Sequence, residues 1–309
     1  MADQYTEHSA LIDGLCRAVA AEHPVHKSFL KTSLALLTAE ELAEFHSYLE
    51  FCQTKGLTED YLAESYLTLL EDTLREQMYF MQHKKYRYST LAEVIDLVYR
   101  NSDYMNRYMY GLAITDFLWP NHVEMVRFFK RTLPRGSTGA YLEVGPGHGH
   151  YLMTAMRESG YTSYTGIDIS AASIEQTRSF VEYFLPDSSA SLSLLETDFL
   201  DAQGLDSAEF DAIVMGEVLE HVEAPDLFLQ RIASLAKPDT HIFITSCINA
   251  PEIDHIFLWR TIESLELLIN ENGLQIVDKA YMPYSGKTLD EAQTAELPIN
   301  VAYVLRRSF

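Results

Sequence analysis

The feature that most constrains the fold is a regular alternation of short β-rich runs and helical stretches beyond residue 139. Strands are predicted near 140–144, 163–168, 191–196, 210–215, 240–246, 274–281 and 299–306. Helices are predicted near 148–158, 171–184, 223–236 and 260–272. Alternation of this kind favours a parallel sheet with right-handed crossovers and helices on both faces. The predicted fold class is therefore α/β, with a doubly wound, mostly parallel sheet.

The preceding part of the chain has a different sequence pattern and is predicted to be helical throughout. Thr38 and Glu41 are spaced as a capping box at the start of a helix. A longer helix follows Thr58, and its predicted buried face comprises Tyr66, Leu67, Leu70, Leu74, Met78 and Met81. The turn-forming segment TLPRGSTG separates this helical region from the alternating strands and helices that follow it. We therefore predict a helical region over 1–131 and a second domain over 132–309.

Charge and composition exclude several classes of partner. The chain has 45 acidic and 23 basic residues, a net charge of −22. Such a surface repels phosphate, so nucleic acid and anionic membranes are not expected partners, and a small molecule fits better. No apolar stretch is long enough to span a bilayer, and the acidic N-terminus does not resemble a signal peptide. Three widely separated cysteines indicate reduced thiols, so the predicted location is cytoplasmic.

The loop after the first β-rich run carries three glycines, Gly145, Gly147 and Gly149. Glycines between a strand and a helix let the backbone turn tightly and approach a ligand. Nicotinamide and flavin enzymes use a similar loop, but their fingerprint needs a third glycine at position 150, where this chain has His150. Glu143, at the end of the strand, would also be unusual beside a pyrophosphate. The loop therefore predicts a nucleotide-like cofactor without a dinucleotide fingerprint.

Carboxylates follow the next two predicted strands. Asp168 ends the second strand, where it can accept hydrogen bonds from both hydroxyls of a ribose in NAD or in S-adenosylmethionine (SAM). Asp198 follows the third strand, where an adenine amino group needs an acceptor, and Phe199 could cover the ring. The fourth strand leads into the segment GEVLEHV, in which two glutamates and a histidine are clustered.

Taken in this order, these residues resemble those of class I SAM-dependent methyltransferases. Within that family they are most similar to the small-molecule branch that includes the quinone-biosynthesis enzymes. The resemblance covers about 135–306. It implies a Rossmann-like sheet of seven strands with the last one antiparallel, and SAM as the cofactor. The residues assigned to the cofactor are Glu143, Gly145, Gly147, Gly149, Asp168, Ile169, Asp198, Phe199, Glu217 and His221.

The acceptor side is less defined by the sequence. His255 follows the fifth strand and is the candidate general base, with Tyr104 and Tyr108 as further candidate catalytic residues. The resemblance implies that the helices before the glycine loop form a lid, although their aromatic residues could instead be core packing. The residues assigned to the substrate are Tyr110, Trp119, Asn121, His122 and Asp254. His221, Asp254 and His255 could also gather a metal ion, but no spacing compels this and none is predicted.

Three hypotheses follow. The leading one is a SAM-dependent methyltransferase acting on a small metabolite, amino-acid-like or a natural-product intermediate, with the helical region closing the acceptor pocket. The second is an enzyme that cyclises SAM itself to azetidine-2-carboxylate and releases methylthioadenosine. The third is a regulatory or scaffold subunit whose helical region binds a partner. The sequence does not fix the oligomeric state, and a homodimer is among the alternatives.

Overall fold

A computed structural model of the chain describes residues 10–205 and 209–308. The N-terminal helices are α1 (Ala10–Glu22), α2 (Lys27–Leu34), α3 (Ala39–Thr54), α4 (Glu59–His83), α5 (Leu91–Val94), α6 (Ser102–Leu118) and α7 (Pro120–Thr132). The capping box predicted at the start of α3 is present, with Glu41 N donating to Thr38 Oγ1 at 3.2 Å and Thr38 N donating to the Glu41 carboxylate at 2.7 Å. Pro120 separates α6 from α7.

The remaining elements alternate between strand and helix. The strands are β1 (Ala140–Val144), β2 (Ser163–Asp168), β3 (Ser191–Glu196), β4 (Phe210–Met215), β5 (Ala236–Ile248), β6 (Leu274–Pro283) and β7 (Ile299–Arg307). The helices among them are α8 (His150–Glu158), α9 (Ala171–Phe184), α10 (Pro225–Leu235), α11 (Ile262–Glu271) and α12 (Leu289–Thr294). The predicted strand positions are confirmed, and β5 is longer than predicted at both ends.

The seven strands form one sheet in the order β3-β2-β1-β4-β5-β7-β6. Strands β1 to β5 pair in parallel, whereas β7 runs antiparallel to both β5 and β6. This confirms the α/β fold class and the antiparallel last strand. The chain order reverses between β1 and β4, so a ligand is expected beyond the carboxyl ends of these two strands.

The helical region and one face of the sheet share a hydrophobic core. The Phe129 ring on α7 lies 4.6 Å from the ring of Tyr151 on α8 and 5.0 Å from that of Phe243 on β5, between centroids. Deeper among the helices, Phe45 stacks on Phe117 at 4.7 Å. Helices α10 and α11 cover the opposite face of the sheet with a second core. Apolar packing therefore fixes the helical region against the sheet.

Phe129 provides a test of this packing. Phe129→Ala should lower the free energy of unfolding by about 3–5 kcal/mol, because it removes a fully buried ring and leaves a cavity between helix and sheet. Leu267→Ala, at an exposed position on α11, should change it by less than about 0.5 kcal/mol. Urea denaturation measures both. A small loss for Phe129→Ala would show that α7 is not anchored through this ring.

The predicted buried face of α4 is wrong over its second half. Leu74, Met78 and Met81 are 50%, 65% and 66% exposed, respectively. The buried face instead continues through Asp72 and Glu76. Both carboxylates have partners: Arg75 and Tyr104 bind Asp72, and Arg87 binds Glu76. Apolar periodicity missed this face because paired polar groups occupy it.

Within the described residues, no helix combines the length and the apolar character needed to cross a bilayer.

Candidate cofactor and acceptor site

A cavity of about 620 Å³ lies between the strand ends and the N-terminal helices. Its sheet side is formed by residues that follow β1, β2, β3, β4 and β5, and its opposite side by residues of α4, α6 and α7. Of the predicted site residues, those that line it are Tyr108, Trp119, Asn121, His122, Gly145, Gly147, Asp168, Ile169, Asp198, Phe199, Glu217, His221, Asp254 and His255. The topology thus brings most of the predicted cofactor and substrate residues into one space.

The glycine loop adopts backbone conformations that favour glycine. Gly145, Gly147 and Gly149 have φ values of 69°, 56° and 85°. A Cβ on Gly145 would lie 2.6 Å from Cγ2 of Val218, so this position has no room for a side chain. Gly147 faces the cavity and its N–H donates to Asp168 Oδ2 at 3.3 Å. Gly149 caps α8 and does not line the cavity.

Asp168 and Asp198 stand at the two strand ends beside the loop. Asp168 Oδ1 also accepts from Ser170 N at 2.9 Å, and burial raises the Asp168 pKa to about 6. Asp198 Oδ1 accepts from Leu200 N at 2.8 Å. Phe199 lines the cavity but packs against Phe228, with ring centroids 5.6 Å apart. The two carboxylates are therefore held by backbone N–H groups at the edge of the sheet.

Glu143 does not line the cavity. Its side chain is buried beneath the glycine loop, where the Tyr141 hydroxyl and the Leu152 backbone N–H donate to it. Burial raises the Glu143 pKa to about 8, although both hydrogen bonds lower it. Glu143 therefore contacts the first turn of α8 from behind the loop.

A chain of side-chain amides connects α7 to the end of β4. Asn121 Nδ2 donates to Asn300 Oδ1 at 2.7 Å, and Asn300 Nδ2 donates to Glu217 Oε2 at 3.1 Å. Glu217 has a φ of 49°, which is uncommon for a residue other than glycine. Sequence reasoning missed Asn300, although a lone amide in the apolar run of β7 was a usable signal.

His221 lies in a second polar group that includes Tyr99, which sequence reasoning also missed. The Tyr99 hydroxyl donates to Asp254 Oδ2 at 3.0 Å and lies 3.1 Å from His221 Nδ1. His221 Nδ1 is 3.3 Å from Asp254 Oδ2. Burial lowers the His221 pKa, but Asp254 and Glu220 outweigh it and raise this pKa to about 9. Asp254 thus pairs with His221 and not with its sequence neighbour His255.

The candidate base His255 is almost fully buried beside His221, with ring centroids 4.6 Å apart. Its Nδ1 lies 2.6 Å from the carbonyl oxygen of Ala250, which can only accept a hydrogen bond. Burial and the neighbouring His221 lower the His255 pKa to about 3. An imidazole with so low a pKa is a weak general base at neutral pH.

The aromatic residues of α6 divide into two groups. Tyr108 lines the cavity, whereas Tyr104 and Tyr110 do not. The Tyr104 hydroxyl donates to Asp72 Oδ2 at 2.6 Å, and Tyr110 packs against Tyr61 with centroids 6.2 Å apart. In the cavity wall formed by the end of α6 and the start of α7, Trp119 Nε1 donates to the Tyr66 hydroxyl and His122 Nδ1 pairs with Thr115 Oγ1.

The cavity wall is rich in carboxylates, which lie beside the cationic imidazole of His221. Its carboxylates are Asp116, Asp168, Asp198, Glu217, Glu252 and Asp254. Among the described residues that line it there is no lysine or arginine. Burial raises the pKa values of Glu217 and Glu252 well above the usual range, so the negative charge of the wall lies mainly on its aspartates; such a wall still favours a cationic ligand over an anionic one.

The mostly parallel sheet, with the glycine loop and the carboxylates at its strand ends, defines an α/β protein in which a ligand is expected at the switch point. The chain belongs to the methyltransferase domain family, which matches residues 121–279. This confirms the resemblance to methyltransferases inferred from the sequence, and the family implies SAM as the cofactor. The match begins within α7 and ends within β6.

A curated relative is the ubiquinone biosynthesis O-methyltransferase of Actinobacillus pleuropneumoniae serotype 5b (strain L20), 36% identical over 109 residues. That stretch covers 34% of this chain and 44% of the relative, so the chain spans less than half of the relative's length.

Two solved structures are similar to this chain. One is a chain of the complex between the Haloferax volcanii Trm112 methyltransferase activator and a methyltransferase, with a TM-score of 0.51 and 13% identity over 68% of this chain and 98% of that one. Another is the cyclopropane synthase MmaA2 from Mycobacterium tuberculosis, with a TM-score of 0.48 and 13% identity over 62% of this chain and 88% of that one.

Proposed function

We propose that the chain is a SAM-dependent methyltransferase that acts on a small metabolite, amino-acid-like or a natural-product intermediate. The observation that carries this proposal is the continuous cavity between the glycine loop and the helices. One space contains Asp168 and Asp198 on the sheet side and Tyr108 and Trp119 on the helical side. Cofactor and acceptor could therefore meet inside it, with the helical region up to residue 131 closing the acceptor end.

The donor set of the cavity fits SAM. Asp168 offers carboxylate oxygens for ribose hydroxyls, and Asp198 offers them for the adenine amino group. Gly147 leaves backbone exposed to the cavity beside Asp168. SAM carries a positive sulfonium, and the wall is lined by six carboxylates with no lysine or arginine among its described residues. When bound, SAM supplies an electrophilic methyl group.

The chain's own contribution would be alignment and exclusion of water. A sulfonium is already activated, so holding an acceptor in line with the methyl group supplies most of the acceleration. The rings of Tyr108 and Trp119 are suited to contact with a cation or an apolar acceptor. The carboxylate-lined wall disfavours acceptors with a net negative charge, so amines, including amino-acid-like ones, and hydroxyl compounds are the expected classes.

Incubation of the purified chain with SAM and separate panels of amine, hydroxyl and keto-acid metabolites tests the proposal. We expect S-adenosylhomocysteine to form only when an acceptor from the amine or hydroxyl panel is present, together with the methylated product. Methylthioadenosine released from SAM without an acceptor would instead identify the cyclisation reaction. Failure to bind SAM in calorimetry would support a non-catalytic role.

The pKa of Asp168 gives this proposal a pH signature. An ionised Asp168 accepts the ribose hydrogen bonds, and because burial raises its pKa to about 6, it becomes protonated as the pH falls below that value. SAM affinity should be full above pH 7 and should fall below pH 6, approaching about tenfold per pH unit. Calorimetry from pH 5 to pH 8 measures this. Asp168→Asn should bind weakly with a flat profile; an equal pH dependence in that variant would refute the assignment.

A further inference from the structure

Helix α6 presents one carboxylate to the cavity. The residues of α6 that line the cavity recur at helical spacing, and they are Met105, Tyr108, Met109, Leu112 and Asp116. Only the last of them is charged, and its side chain is 11% exposed. A carboxylate within an apolar stripe is costly to bury unless other groups compensate it. The surroundings of Asp116 therefore show what it can bind.

Asp116 is held by imidazoles of the glycine loop and the start of α8. His150 Nδ1 lies 2.7 Å from Asp116 Oδ2, and His148 Nε2 lies 3.7 Å from the same oxygen. His148 lines the cavity beside Gly147, whereas His150 does not line it. Among the described residues, no donor is hydrogen-bonded to Asp116 Oδ1. The fold thus fixes one carboxylate oxygen and leaves the other for a ligand.

The Asp116 carboxylate is ionised at neutral pH. Burial raises its pKa, but His148, His150 and His122 outweigh burial and hold that pKa below its usual value. Burial also lowers the pKa of His148, and it lowers that of His122 to about 4, so both of these imidazoles are neutral at pH 7. Asp116 therefore faces the cavity as an anion beside two neutral rings.

The His122 ring is oriented with a lone pair available. The Thr115 hydroxyl donates to the Leu112 carbonyl oxygen at 2.6 Å, so its oxygen accepts from His122 Nδ1 at 2.7 Å. A neutral imidazole that carries its hydrogen on Nδ1 has its lone pair on Nε2. His122 lines the cavity next to Trp119, with ring centroids 5.1 Å apart. An acceptor nitrogen thus accompanies the carboxylate on the helical side.

The other aspartates of the cavity wall already have roles or partners. Asp168 and Asp198 are assigned to the cofactor, and Asp254 lies 3.3 Å from the cationic imidazole of His221. Asp116 is the aspartate that remains on the helical side, where the acceptor is proposed to bind.

We propose that Asp116 binds the ammonium group of an amine acceptor, with His122 and His148 as flanking hydrogen-bond acceptors. This inference rests on the proposed function, because it names the substrate class of the same cavity. An ammonium group would donate a charge-assisted hydrogen bond to Asp116 Oδ1 and a further hydrogen to a neutral imidazole nitrogen. A hydroxyl compound of the same shape offers one uncharged donor, so amines are preferred over hydroxyl compounds.

Methylation of an ammonium group requires the loss of one proton. That proton passes to the neutral imidazole of His148, and Asp116 stabilises the imidazolium that forms. The freed lone pair of the amine then bonds to the methyl carbon as the carbon–sulfur bond breaks, and the electron pair of that bond stays on sulfur. The products are a methylated ammonium compound and S-adenosylhomocysteine, and the proton on His148 is released to solvent.

The experiment compares amines with alcohols of the same shape as ligands of the whole chain, with and without S-adenosylhomocysteine. The probe pairs are phenethylamine with 2-phenylethanol and cyclohexylmethylamine with cyclohexylmethanol, and the fluorescence of the cavity-lining Trp119 reports binding. We expect the amine of each pair to bind at least about tenfold more tightly. Asp116→Asn keeps an oxygen for His150 but removes the charge, so it should reduce the difference to within about twofold.

Asp103→Asn is the matched control, because it makes the same change of charge at an exposed position of α6 outside the cavity. It should keep the wild-type preference. Circular dichroism shows whether Asp116→Asn folds, and the wild-type comparison decides alone if it does not. Equal binding of amines and alcohols by the wild type, or a preference that survives in folded Asp116→Asn, would overturn the site. Because the titration without S-adenosylhomocysteine needs no cofactor, this result is independent of the SAM assignment.

Turnover tests the proton transfer separately. With an amine that is methylated, His148→Gln should lower kcat by at least about 100-fold, and Asp116→Asn should raise KM by at least about tenfold. Turnover of His148→Gln at the wild-type rate would refute the role of His148. Methylation of hydroxyl compounds alone would refute the amine site and leave the proposed methyltransferase function intact.

Discussion

Asp168→Ala should weaken SAM binding by at least about 100-fold. The wild-type carboxylate stands at the end of β2, held by the N–H groups of Ser170 and Gly147, and lines the cavity beside the glycine loop. Each hydrogen bond from a ribose hydroxyl to a carboxylate contributes about 1.5–3 kcal/mol, and two of them account for the expected loss. Calorimetric titration of the folded variant with SAM measures the effect.

Asp187→Ala is the control for Asp168→Ala. Asp187 is an exposed carboxylate in the loop after α9, so its removal changes the net charge equally without touching the cavity. It should bind SAM within about twofold of the wild type, since surface charges are largely screened by salt. Equal affinity of Asp168→Ala and Asp187→Ala would mean that the cofactor lies elsewhere.

Leu70→Trp should lower kcat/KM for the acceptor by about 100-fold while SAM affinity stays within about threefold. Leu70 is on α4, on the helical side of the cavity, and is partly buried. An indole there would fill space proposed for the acceptor, and a displaced acceptor loses its alignment with the methyl group. Steady-state kinetics with the acceptor found in the panels, together with calorimetry with SAM, separates the two effects.

The same substitution at Leu267 provides the comparison. Leu267 is exposed on α11, against the opposite face of the sheet, and Leu267→Trp should leave both measurements unchanged. If Leu70→Trp retained full turnover, the helical side of the cavity would not hold the acceptor. If it lost SAM affinity in proportion to kcat/KM, the cofactor would extend into that side.

Much of the sheet could be predicted because its strands are buried, apolar and separated by glycine or helix signals. Strand β1, which precedes Gly145, and strand β2, which ends at Asp168, have the predicted bounds. The carboxyl ends of parallel strands meet at one edge, so the order of Gly147, Asp168 and Asp198 in the sequence was enough to place them together.

The helical region was harder to predict because its buried positions are not all apolar. On α4 the buried face includes Asp72 and Glu76, whose partners Tyr104 and Arg87 lie outside this helix. Hydrophobic periodicity therefore selected Met78 and Met81, which are exposed. Pairing with polar residues outside the helix leaves no periodic signal within it.

The polar groups around His221 and Glu217 depend on tertiary contacts. Tyr99 reaches His221 and Asp254 from the segment before α6, and Asn300 reaches Glu217 from β7. Neither residue belongs to a local motif. Glu143 is the opposite case, a residue whose local position was misleading. Its place near the end of β1 predicted a cofactor contact, but its side chain contacts Tyr141 behind the loop.

A crystal structure of the chain with S-adenosylhomocysteine tests the central claim most directly. We predict the ribose at Asp168, the adenine at Asp198 and the thioether sulfur directed toward the helical side lined by Tyr108 and Trp119. Binding of the nucleoside outside this cavity, or a sulfur directed to bulk solvent and away from the helices, would contradict the account.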